Sequence, residues 1–268
     1  MKTYLLVAFL LLMLCQARAQ RAEQASVAVY YKHNHVKDTA NKLSLYSERM
    51  VLSIGKNASV YKSYDKMVND SVKKTIVQDD GKGGYIVNTT NRKKTIGTQI
   101  FKYALDKKMI ILEKLIKTYA VSEPYPTIEW EIKSDTLSLG GIKCQKAKAT
   151  FKGRNYTAWF ASDLPYNTGP WKLCGLPGLI LQAYDDKHEV EFIFDGLRPA
   201  PANESIFVPA AAIAATREDY KRLIGLLRND PTAFFAQNEV NGVRLSPQNP
   251  DMFKNAKQPD KNPIELKP

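Results

Sequence analysis

The sequence is short of the residue types that most often carry chemistry: its 268 residues hold only three cysteines and three histidines. So few cysteines exclude a disulfide-dense scaffold, and no Cys-x-x-Cys redox pair is present. Gly-x-Ser-x-Gly, Gly-x-Gly-x-x-Gly and Walker spacings are missing, which removes the hydrolase elbow and the phosphate-cradling loops as readings. After the first twenty residues no apolar run approaches the ~18 needed for a membrane-spanning helix. No repeat of fixed period occurs.

What is present suits a folded domain. Apolar residues make up 44% and aromatics 10%, enough to bury a core. Lys2, the apolar run Leu5–Leu14 and the Ala17-Arg18-Ala19 site read as a signal peptide, residues 1–19, cleaved after Ala19. The expected location is therefore the periplasm or envelope. The rival reading is lipidation at Cys15, which wants a small residue where Leu14 stands. Processing leaves Cys144 and Cys174 as the pair able to form a disulfide in an oxidising compartment. Two separate buried thiols are the alternative.

Most of the chain alternates with the period of a strand. Val27, Val29, Tyr31 and His33 share one face of a segment that opens the processed chain. Strand pairs flank Gly55-Lys56-Asn57, Asp106-Lys107-Lys108, Gly153-Arg154 and Asp185-Asp186-Lys187, and such short loops imply antiparallel hairpins. Thr127–Lys133 also alternates, which makes Glu129 and Glu131 a solvated face rather than an acid–base pair. A weak helix candidate lies within 63–78. The firm one is Arg217–Arg228, with Thr216 as cap and Asp219 at the capping-box position, and a shorter helix begins at Asp230-Pro231. The expected fold is mainly β: a single antiparallel, strongly curved sheet or half-barrel, like that of lipoprotein carriers, with one or two short C-terminal helices. It would occupy residues 20–240, with 241–268 as an extended polar, proline-rich tail.

The stretch Gly169-Pro170-Trp171-Lys172-Leu173-Cys174-Gly175-Leu176-Pro177-Gly178-Leu179-Ile180-Leu181 resembles the signature of the GLPGLI family of exported bacterial envelope proteins. The segments Gly141–Ala147, Gly153–Phe160 and Asn262–Leu266 are similar to that family's pattern too, in the same order. The resemblance implies a β-rich protein of the Gram-negative envelope. It supplies no activity and no catalytic residues. Physically, Gly175 and Gly178 permit unusual backbone angles and Pro177 fixes the chain between them, so Gly175-Leu176-Pro177-Gly178 reads as a shaped turn. It delivers Leu179-Ile180 into a buried strand. A glycine-lined ligand surface is the functional alternative.

His33-x-His35 places two imidazoles on one strand face, the weak beginning of a metal site. A third ligand is missing nearby, so exposed strand-end histidines are expected, with no metal and no cofactor. The net charge of +12 is concentrated in a basic patch: Arg92, Lys93, Lys94, Lys102, Lys107, Lys108, Lys114 and Lys117, then Lys146, Lys148 and Lys152. Such a field attracts anionic lipid headgroups, lipopolysaccharide or acidic glycans. Lysines that protect strand edges are the plainer reading. No nucleic-acid-binding motif is present. The expected function is non-enzymatic: binding or carrying an amphiphilic or anionic envelope ligand. The alternatives are an accessory partner of an outer-membrane transport system and an enzyme with an unrecognised site.

Overall fold

The computed structural model describes residues 22–41, 44–79, 85–87, 95–237, 253–254 and 260–267. The signal segment with its Ala19 cleavage site and Cys15, and the basic residues Arg92, Lys93 and Lys94, lie outside them.

In chain order the strands are β1 (Glu23–Gln24), β2 (Val27–Val36), β3 (Leu45–Ile54), β4 (Ala58–Ser63), β5 (Val77–Asp79), β6 (Tyr85–Val87), β7 (Gln99–Tyr103) and β8 (Lys108–Lys114). They continue with β9 (Thr118–Pro124), β10 (Glu131–Leu139), β11 (Ile142–Phe151), β12 (Arg154–Ala161), β13 (Leu179–Asp185), β14 (Val190–Pro199), β15 (Ser205–Ile206) and β16 (Ile213–Thr216). The helices are α1 (Tyr64–Ile76), α2 (Arg217–Asn229) and α3 (Pro231–Gln237).

Twelve strands form one sheet in the order β10-β11-β12-β13-β14-β2-β3-β4-β7-β8-β9-β16. This corrects the expected single antiparallel half-barrel. The sheet is mixed, because β16 runs parallel to β9 with Ile213 opposite Tyr119, and it closes into no barrel. The short hairpin loops do give antiparallel neighbours, as at β7–β8 and β11–β12. The parallel edge arises because residues 200–212 cross over the sheet before β16 is reached. A long crossover is what a parallel pair requires. The small pairs β1–β15 and β5–β6 stand apart from the main sheet.

That crossover also explains the continuous apolar run in β8. Met109 and Ile111 join the main core with Tyr31, Leu52, Tyr61, Phe160, Leu179 and Phe192. Ile110 and Leu112 point the other way, into a second core with Val60, Phe101 and Ile206, against which Val208 and Ala212 pack. Covering both faces makes a strand apolar throughout rather than alternating. Helix α2 begins at the cap read from the sequence: the Asp219 amide donates to Thr216 Oγ1 at 3.1 Å, and the reciprocal bond of the capping box is present. Its Tyr220 packs on Tyr119 of β9. No helix among the described residues is long and apolar enough to cross a membrane.

The tail is docked in part. In the strap 260–267 the Asn262 amide donates to the Lys37 carbonyl at 2.9 Å and the Leu266 amide to that of Lys152 at 2.9 Å. The anchor is Arg154, only 4% exposed. Its guanidinium pairs with Asp185 at 2.6 Å and Glu189 at 3.0 Å, and also donates to Asn262 Oδ1 and to the carbonyls of Pro263 and Ile264. A planar fork with five donors can satisfy all of these at once.

Candidate functional site

A cavity of about 740 Å³ opens between one face of the sheet, the Trp171–Lys172 loop, helix α2 and the strap. Its floor is apolar. Met50 of β3, Ile100 of β7, Ile111 of β8 and Phe192 of β14 form it, with Trp171 beside them. Its mouth is charged, with Glu113 and Glu123 from β8 and β9, Lys172 from the loop, Arg217, Glu218 and Lys221 from α2, and Asp260 and Glu265 from the strap.

The loop that resembles the family signature builds one wall. Lys102, expected in the surface basic patch, is instead 2% exposed. Its ammonium donates to the carbonyls of Gly169 at 2.7 Å and Leu173 at 3.1 Å. Burial pulls its pKa down to about 8. Lys102 shares the inward face of β7 with Ile100, so it ties the sheet to the loop. The Leu173 amide donates to the Pro170 carbonyl, closing a turn in which Trp171 takes φ 51°. A bulky side chain in the left-handed region is rare and costs strain. Here the ring is held parallel to Phe192 at 6.3 Å and edge-on to Phe151 at 5.7 Å.

Past this turn, Gly175 sits at φ +94° and the Trp130 indole donates to the Cys174 carbonyl at 2.8 Å. Gly178 is required by space. A Cβ there would lie 2.2 Å from the Ala161 carbonyl oxygen. Leu176, Leu179 and Ile180 are fully buried while Gly175 and Pro177 are exposed, so the turn packs through its leucines and isoleucine, and the cavity itself is met by Trp171 and Lys172.

Lys172 bridges the mouth. Its ammonium lies 2.6 Å from Glu123 and 2.5 Å from Glu265, and Arg217 also pairs with Glu123. Burial would raise the Glu123 carboxyl, but Lys172 and Arg217 outweigh it and hold the group below its ordinary range. The charges at the mouth therefore largely neutralise one another. Among the described residues of the expected basic patch, only Lys152 reaches the cavity. Lys107, Lys108, Lys114 and Lys148 are solvent-exposed, Lys117 is half-buried, and Lys146 pairs with Asp135.

His33 and His35 are buried rather than exposed strand ends. His33 and His35 keep the shared face read from alternation, at 2% and 3% exposure, with rings stacked at 6.2 Å. His35 Nε2 meets the Asn262 carbonyl at 2.6 Å, tying β2 to the strap. His33 stacks on Phe192 at 4.9 Å and lines the cavity, and neither ring nitrogen has a protein partner. Burial, helped by His35 and Lys37, pulls its pKa down to about 3, so the ring is neutral at pH 7. No metal-ligand cluster occurs among the described residues.

Glu48 faces His33 across β2 and β3 and is 1% exposed. It gives His33 nothing, because its oxygens already accept from Tyr46, Ser63 and the Ile96 amide. The Cys144–Cys174 disulfide does not form. Both are buried free thiols, each turned to a backbone carbonyl of its own neighbourhood, Ile142 for Cys144 and Pro126 for Cys174.

Residues 148–182, which run from β11 through the Trp171–Lys172 loop into β13, match the model of a family described as a protein of unknown function, Porph_ging. That match is consistent with a GLPGLI-type family. No curated protein matches the chain. Two solved structures of PNGF-II, in P21 and C2 space groups, are similar in fold, with TM-scores of 0.54 and 0.53 at 11% and 12% identity. In each the match covers 74% of this chain and 32% of the other, so the chain spans about a third of the length of those structures.

Proposed function

We propose that this protein is an exported envelope protein that binds or carries a small amphiphile. The observation that supports the reading is the cavity: an apolar floor of side chains from four strands beneath a mouth of paired charges. Its volume of about 740 Å³ lies in the range of small-molecule sites, roughly 300–1,000 Å³. An apolar body on Ile100, Ile111 and Phe192 gains burial, and a polar head stays among Glu123, Lys172, Arg217 and Glu265. Because those charges are mixed and paired, the mouth suits a zwitterionic or neutral polar head better than a strongly anionic one.

The test has two parts. Protein purified without detergent is extracted with organic solvent and the extract analysed by mass spectrometry, and a fluorescent apolar probe, N-phenyl-1-naphthylamine, is titrated against the emptied protein. Saturable probe binding that falls at least tenfold in Ile111→Trp, a substitution that fills the floor, supports a ligand cavity. A blank extract together with no saturable probe binding would sink the reading.

A further inference from the structure

We propose that the inner end of this cavity is a recognition subsite for an uncharged hydroxyl group of the ligand, bound by the His33 imidazole and the Tyr61 hydroxyl. The inference rests on the cavity being a ligand site, and it names the chemistry that the site selects.

Two polar side chains on the strand wall of the cavity, His33 of β2 and Tyr61 of β4, have no protein partner; a third such hydroxyl, that of Tyr220, lies apart from them on α2. His33 is 2% exposed and Tyr61 3%, both line the cavity, and both His33 ring nitrogens and Tyr61 Oη are unpaired. Buried polar groups are nearly always hydrogen-bonded, because an unmade bond leaves the full desolvation penalty. Both contact one ring, with His33 stacked on Phe192 at 4.9 Å and Tyr61 edge-on to it at 6.3 Å. The surroundings do not relieve them. Tyr31 Oη is committed to the Ile180 carbonyl at 2.7 Å, and Glu48 is fully engaged by Tyr46, Ser63 and Ile96.

The subsite selects against charge. A neutral imidazole offers one donor and one acceptor, and a tyrosine hydroxyl offers both. A hydroxyl, which gives one proton and accepts another, matches that pair. A carboxylate or phosphate would have to lose its water among Met50, Ile100, Ile111 and Phe192 with no cation among the described strand side chains that line the cavity, and with buried Glu48 next to His33 in the sheet. An ammonium would lose the same hydration, and the nearby Glu48 carboxylate is already taken up by Tyr46, Ser63 and the Ile96 amide.

Four bicyclic probes of one shape test this: 2-naphthol, 2-methylnaphthalene, 2-naphthoate and 2-naphthylmethylammonium, titrated by fluorescence at pH 7. The expected result is 2-naphthol at least tenfold tighter than the other three. In His33→Phe, and separately in Tyr61→Phe, 2-naphthol falls to the affinity of 2-methylnaphthalene while 2-methylnaphthalene stays within threefold of wild type. Retained binding of that apolar probe shows that each variant has kept its cavity. If all four bind alike, or an ion binds tightest, the subsite is refuted while the cavity reading stands. If none binds, both readings fall.

Discussion

Gly178 is where a single atom decides whether the chain can pass. A methyl group there meets the Ala161 carbonyl oxygen at 2.2 Å and Ser162 Cα at 2.9 Å, all of it backbone. Gly178→Ala should destabilise by about 1–3 kcal/mol, seen as a melting temperature lower by roughly 3–10 °C for a chain of this size. Gly97→Ala, with nothing within 4 Å, should leave the melt unchanged. His33 sets a second residue-scale expectation. The unfolded imidazole takes up a proton near pH 6.5, whereas the folded one refuses it until about 3. Below pH 6.5 the unfolded state therefore binds more protons, and stability falls by about 1.4 kcal/mol per pH unit as pH drops toward 3. The groups facing His33 are His35, Lys37, Phe192 and, across the sheet, Glu48. Urea titrations between pH 7 and 4 should show a shallower acid limb in His33→Phe. An equal slope in both proteins would place the titration elsewhere. Free-thiol titration of the denatured, unreduced, processed protein should find both Cys144 and Cys174 reactive, as their unbridged state requires.

Among the elements, the strap shows how one side chain can hold a segment. Arg154 satisfies two carboxylates and three groups of residues 262–264. Arg154→Met would strand Asp185, 3% exposed, without a cation, and breaking a buried pair costs about 3–5 kcal/mol. We expect faster amide exchange at Asn262 and Leu266 in that variant, together with a lower melt. Unchanged protection would show that the strap holds itself. The elements also differ in how far they could be read from sequence. The α2 cap was legible because Thr216 and Asp219 are local, and so were the hairpins with short loops. β9 was not, since the Tyr119–Val121 alternation is brief and ends at Pro124. β16 was not, because its partner lies about ninety residues earlier across a parallel pairing. Lys102 was misplaced on the surface because β7 is covered on both faces, and alternation alone cannot say which residue points to which cover.

At the scale of the molecule, the cavity gathers side chains from seven strands, a loop, a helix and the strap, so no local pattern could announce it. The motif Gly175–Ile180 was legible as a turn. That the residues just before it, Trp171 and Lys172, meet the cavity was not, because a left-handed tryptophan has no sequence signature. A ligand that binds only the folded state adds stability by mass action, about 2.7 kcal/mol at a hundredfold excess over its Kd. The melting temperature should therefore climb with the concentration of any true ligand, and a flat response would disqualify it. The sheet order carries one more consequence, and it concerns synthesis. β2 lies in the interior of the sheet, with one edge on β3 and the other on β14, where His33 faces Phe192. β3 follows directly, but β14 emerges from the ribosome about 150 residues later. Throughout that interval the free edge of Val27–Val36 is an unpaired, largely apolar strand, the kind of edge that joins other chains. A protein built in this order depends on being kept unfolded and escorted until its second half arrives. Slowing translation of the β10–β13 region without such an escort should raise aggregation rather than improve folding.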